Sequence, residues 1–136
     1  MIEVEAIKLL MVDDEVDFLD TLLRRLKKRG FSVKGVKDGQ EALSTLKSES
    51  YDVVILDVKM PGMDGIEVLR RIKEDFPGTE VIMLTGHANV EVAIKGIELG
   101  AFDYLMKPMD IDELVFKVED AYKKKLLRER KRRRKE

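Results

Sequence analysis

The chain has 136 residues, 44% of them apolar and 39% charged, with a net charge of −1. That length suits one domain with a single substantial core, and the absence of cysteine excludes disulfides and thiolate metal sites. No apolar run approaches the roughly 20 residues a membrane span needs, and the acidic start Met1-Ile2-Glu3-Val4-Glu5 lacks the basic region of a signal peptide, so a cytoplasmic location is the default expectation.

Strand and helix patterns alternate five times. Ile7 to Val12 is a first apolar run, ending in Asp13-Asp14. Val16, Leu19, Leu22, Leu23 and Leu26 then form a helical stripe, closed by Lys27-Lys28-Arg29-Gly30. Phe31 to Val36 is more polar and suits a strand near the sheet edge. Gln40 to Ser48 reads as a helix with Ala42, Leu43 and Leu46 inward.

Val53 to Leu56 is short, β-branched and apolar, as a strand buried on both faces should be. Asp57 closes it, and Pro61-Gly62 and Asp64-Gly65 punctuate the turn that follows. Ile66, Leu69, Ile72, Lys73 and Phe76 give helical spacing up to Pro77-Gly78. Val81 to Leu84 is a fourth strand, ending at Thr85-Gly86. Val90, Ala93, Ile94 and Ile97 lie on one helical face, stopped by Gly100. Phe102 to Met106 is the fifth strand, ending at Lys107-Pro108. Asp110 is a candidate N-cap with Glu113 as its capping-box partner, ahead of a helix whose buried stripe is Leu114, Val115, Val118, Ala121 and Tyr122.

Five such units predict an α/β fold: a doubly wound five-stranded parallel sheet with helices on both faces, right-handed crossovers and the flavodoxin-like strand order 2-1-3-4-5. Ligands in such sheets bind at the carboxyl ends of the strands, beside the switch point between the first and third. Four strand ends carry reactive groups: Asp13-Asp14, Asp57, Thr85 and Lys107. Each has an ordinary reading. The aspartates and Thr85 could cap helices, and Lys107 could be a solvated lysine. Together they are a constellation. Clustered carboxylates repel unless compensated, and Mg2+ is a hard cation that accepts a few carboxylates and shares its shell with phosphate. One carboxylate could then act as a nucleophile and form an aspartyl phosphate.

These residues resemble the receiver domain of bacterial two-component response regulators. Val12-Asp13-Asp14-Glu15 is similar to that family's acidic pair, and the stretch from Val54 to Gly65 to its phosphoacceptor loop. Leu84-Thr85-Gly86-His87 resembles its switch segment, and Gly100 to Pro108 its lysine segment; the likeness spans about residues 6 to 122. It implies a phosphorylation-dependent switch in which Asp57 accepts a phosphoryl group from a sensor histidine kinase. It further implies that Asp13, Asp14, Asp57 and the Lys59 backbone carbonyl hold Mg2+, and that Lys107, on a cis bond to Pro108, and Thr85 contact the phosphoryl oxygens. Tyr104 matches the family's switch aromatic. Output is then expected through the fourth helix, fifth strand and fifth helix, a surface that could also form a homodimer. By the same resemblance the chain is no enzyme toward other substrates and catalyses only its own phosphorylation and dephosphorylation.

Charge divides sharply at the C-terminal end. Residues 123 to 136 hold ten basic and two acidic residues, a balance of +8, leaving −9 on residues 1 to 122. Leu126 and Leu127 extend the last helix to about residue 130, beyond which the chain is expected to fray. Residues 1–122 thus read as the receiver and 123–136 as a basic helical extension or truncated linker. The segments around Thr85 and Tyr104 look most like receivers of the nitrogen-regulator class of transcriptional activators, in which an effector domain follows such a linker. Direct nucleic-acid binding is not expected, because the tail has no aromatic residues and no second helix. Two rivals fit less well. A haloacid-dehalogenase-type phosphohydrolase needs Asp-x-Asp where this chain has Asp13-Asp14-Glu15, and a flavodoxin phosphate loop would not be acidic.

Overall fold

Alternating strand residues face opposite sides of the sheet, and here both sides are apolar, so the sheet must be covered twice. The computed structural model describes residues 3–58, 64–86 and 90–135. Its strands are β1 (Lys8–Val12), β2 (Ser32–Val36), β3 (Val53–Asp57), β4 (Glu80–Gly86) and β5 (Asp103–Lys107). All pair in parallel, in the order β2-β1-β3-β4-β5. The helices are α1 (Val16–Lys28), α2 (Gly39–Ser48), α3 (Gly65–Asp75), α4 (Val90–Glu98) and α5 (Ile111–Lys135). Leu9 and Met11 of β1 pack with Leu22 and Leu26 of α1 and with Leu114 and Val118 of α5. Leu10 and Val12, one residue out of phase, pack with Leu43 of α2 and Leu69 of α3.

Caps set the helix ends. Asp38 and Asp64 accept hydrogen bonds from the Glu41 and Ile66 N–H groups at 2.8 and 3.0 Å. Asp110 accepts from the Asp112 N–H at 2.9 Å, one residue short of the Glu113 expected from a capping box. Gly30 and Gly100, which follow α1 and α4, hold positive φ of 96° and 107°.

Three expectations are corrected. Val16 is exposed, and Phe18 instead packs against the α1 core. On α4, Ala93 is buried but Val90, Ile94 and Ile97 are 58%, 54% and 43% exposed; their spacing defines an apolar face that no described element covers. The last helix does not fray near residue 130 but runs to Lys135. Its anchors are ionic rather than apolar. The Lys125 Nζ lies 2.8 Å from Asp52, and Arg128 pairs with the fully buried Glu80 and donates to the Pro77 carbonyl at 2.9 Å. Arg and Lys are also good helix formers, and at a helix C-terminus their charge meets the macrodipole favourably.

Candidate functional site

Parallel pairing in this order brings the C-terminal ends of β1, β3, β4 and β5 to one sheet edge. Val12 is in register with Leu56, Asp57 with Leu84, and Gly86 with Lys107. Asp13 is held just beyond β1 by its N–H bond to the Val36 carbonyl at 3.1 Å. Its side chain accepts from the Glu15 N–H at 2.9 Å, which fixes the turn into α1. Asp13, Asp57 and Thr85 are buried, and Asp14 is half-buried.

Asp13, Asp14 and Asp57 each offer a carboxylate oxygen, and those oxygens lie within 4.8 Å of one another. Lys107 reaches into this group from the end of β5, where its bond to Pro108 is cis. Its Nζ is 2.9 Å from Asp13 Oδ2 and 3.4 Å from both Asp57 Oδ2 and Glu15 Oε1. The Phe18 ring sits beneath the ammonium, 4.4 Å from Nζ to the ring centre. Burial alone would lower the Lys107 pKa. The hydrogen bond to Asp13 and the charges of Asp57, Asp13 and Glu15 outweigh it, and hold the ammonium above its ordinary value.

One ammonium cannot balance three clustered carboxylates, so the edge keeps a negative surplus. A hard divalent cation with oxygen ligands fits that surplus and that donor set. The sequence-predicted residues Asp13, Asp14, Asp57 and Lys107 therefore meet. Thr85 lies at the same edge, buried in β4. Tyr104, on β5, is 40% exposed. The Lys59 carbonyl and His87 lie outside the described residues. Glu15 and Phe18 join the Lys107 contacts without having been expected there. The i, i+4 spacing of Phe18 and Leu22 was the available signal for Phe18, while nothing in the local pattern marked Glu15.

Residues 9–119 match the family described as the response regulator receiver domain. The chain belongs to this family. It is 41% identical over 111 residues to the DNA-binding transcriptional regulator NtrC of Salmonella typhimurium, covering 82% of this chain and 24% of that regulator. A receiver domain protein from Clostridium thermocellum superimposes with a TM-score of 0.85 at 36% identity, covering 89% of this chain and 98% of that one. NtrX from Brucella abortus superimposes with a TM-score of 0.86 at 33% identity, over 90% of this chain and 28% of its own. This receiver thus spans about a quarter of the length of the nitrogen regulators it matches. No helix among the described residues is long and apolar enough to cross a membrane.

Proposed function

We propose that this receiver is switched by phosphorylation of Asp57. In the forward step an Asp57 carboxylate oxygen attacks the phosphorus of a phosphohistidine on a sensor kinase. The N–P bond breaks, and the histidine leaves as the O–P bond forms. Water later attacks the same phosphorus, returning the carboxylate and inorganic phosphate. The single observation that carries this reading is the Lys107 ammonium, hydrogen-bonded to Asp13 and 3.4 Å from Asp57 beside the three-carboxylate cluster.

A loose phosphoryl transition state asks for positioning and positive charge more than for covalent help. Asp13, Asp14, Asp57 and the Lys59 carbonyl would hold Mg2+, which supplies charge to the phosphoryl oxygens. Asp13 keeps the Lys107 ammonium aimed at the edge, and Thr85 can donate its hydroxyl hydrogen to the phosphoryl group. Movement of Thr85 toward that group leaves space for Tyr104, giving two states with different outer surfaces. The surface that would read them is α4, β5 and α5. Val90, Ile94, Ile97, Tyr104 and Met106 are all exposed there, an apolar area suited to an effector or a second receiver. We assign residues 1–122 to the cytoplasmic switch and 123–136 to a linker, with transcription as the output.

Incubation with acetyl phosphate, read by intact mass, tests the metal's part. One phosphoryl group should be gained with Mg2+ and none with a chelator in excess; an equal gain in the chelator would remove the metal from the account.

A further inference from the structure

The Lys107 ammonium touches four groups, and they differ in what can take them away. Three are carboxylates: Asp13 at 2.9 Å, and Asp57 and Glu15 at 3.4 Å. The fourth is the face of the Phe18 ring, 4.4 Å from Nζ to the ring centre. A hard divalent cation seeks oxygen ligands, so it competes with the ammonium for Asp13 and Asp57 but leaves the ring face alone. Glu15 would remain to Lys107, but its side chain is 65% exposed and water screens its pull. The ring is the one partner that is neither claimed by a metal nor loosened by solvent.

The start of α1 fixes where that ring sits. The Leu19 N–H donates to the Glu15 carbonyl at 2.9 Å, and the Glu15 N–H donates to the Asp13 carboxylate at the same distance. The half-buried Phe18 side chain packs on the cluster that holds Leu22 of α1 and Leu105 of β5. Lys107 follows Leu105 by two residues, so strand alternation puts it on the same side of the sheet as the ring. Its side chain is only 14% exposed, and an ammonium–ring contact is strongest where little water competes. The lysine–ring contacts elsewhere are looser. Lys8 lies 5.0 Å from Tyr51 and Lys124 lies 5.5 Å from Phe102, and both lysines are exposed.

We infer that Phe18 is a positioning residue for phosphoryl transfer: its ring holds the Lys107 ammonium at the sheet edge while the carboxylates are engaged by a divalent cation. The role in transfer rests on Asp57 being the phosphoacceptor; the ring contact itself does not. An aliphatic side chain at position 18 fills the space but lets the lysine swing into water once Asp13 and Asp57 are taken. The ammonium meets charge that develops on the phosphoryl oxygens, so the loss falls on the limiting rate rather than on half-saturation by acetyl phosphate.

Two measurements on the full chain test this. Protons above an aromatic face resonate upfield, so the Lys107 ε-methylene signal should lie upfield in the wild type and stay there as Mg2+ is titrated to saturation. It should return to the ordinary lysine position in Phe18→Leu. A wild-type signal that moves to the ordinary position as Mg2+ binds would overturn the role, whatever happens at Asp57. The second measurement is the limiting rate of phosphoryl gain from acetyl phosphate at saturating Mg2+. Phe18→Leu should lower it about fivefold and Phe18→Tyr, which keeps the ring face, should restore it. Mono-, tri- and pentafluorinated phenylalanine introduced at position 18 keep the ring's shape while draining its negative face, and should lower the rate stepwise. A flat rate across that series, or a Phe18→Leu rate equal to the wild type, would reduce Phe18 to packing. A wild type that takes up no phosphoryl group would overturn the Asp57 reading and the role in transfer with it, whereas loss of the upfield signal overturns the ring's role alone.

Discussion

Gly65→Ala is expected to destabilise the receiver by about 3 kcal/mol, the upper end for overpacking a site that cannot yield. A Cβ at Gly65 would lie 2.4 Å from Val58 Cα and 2.6 Å from the Val58 carbonyl oxygen. Those are backbone atoms, so either α3 or the end of β3 must shift. Val58 follows Asp57 directly, and the displacement would reach the carboxylate cluster; phosphoryl gain from acetyl phosphate should fall along with stability. Gly96→Ala is the useful comparison. Its Cβ would approach Met83 Cε and Sδ, at 2.0 and 2.2 Å, but those atoms end a flexible side chain that can turn aside. The expected cost there is about 1 kcal/mol. Denaturant unfolding of the two variants should rank them in that order, and equal stabilities would contradict the close approach of α3 to β3.

Lys107→Ala should lower stability in metal-free buffer by about 3 kcal/mol, as expected when one partner of a buried charge pair is removed. The buried Asp13 and Asp57 would then face each other with no ammonium between them. The same variant should gain more from Mg2+ than the wild type does. The ammonium and the cation draw on the same carboxylates, so removing one leaves more negative charge for the other. Binding to the folded state stabilises in proportion to the logarithm of metal concentration over dissociation constant. Unfolding midpoints measured across an Mg2+ series should therefore converge for wild type and Lys107→Ala. Curves that stay parallel would mean that Lys107 and the metal do not share ligands.

Much of the fold is legible because each strand is a short apolar run and each helix carries its own punctuation. The Val53 to Leu56 run reads as a strand buried on both faces and is one, and Gly30 and Gly100 mark helix ends by their positive φ. What periodicity cannot say is what covers an apolar face. Val90, Ile94 and Ile97 have the spacing of core residues yet lie in water, because spacing is the same whether the cover is a sheet or another molecule. The length of α5 was hidden for a different reason. Its anchors, Lys125 to Asp52 and Arg128 to Glu80, join residues 73 and 48 positions apart, and no local pattern encodes such partners. The site was more legible than the helix ends, since strand order alone delivers Asp13, Asp57, Thr85 and Lys107 to one edge. Glu15 and Phe18 became visible only once the turn after Asp13 and the path of the Lys107 side chain were in place.

The central claim is that Asp57 is the phosphoacceptor. Intact mass after incubation with acetyl phosphate and Mg2+, run side by side on wild type and Asp57→Asn, tests it most directly. The account predicts one added phosphoryl group on the wild type and none on Asp57→Asn. A wild type that gains nothing, or an Asp57→Asn chain that gains the group, would contradict it.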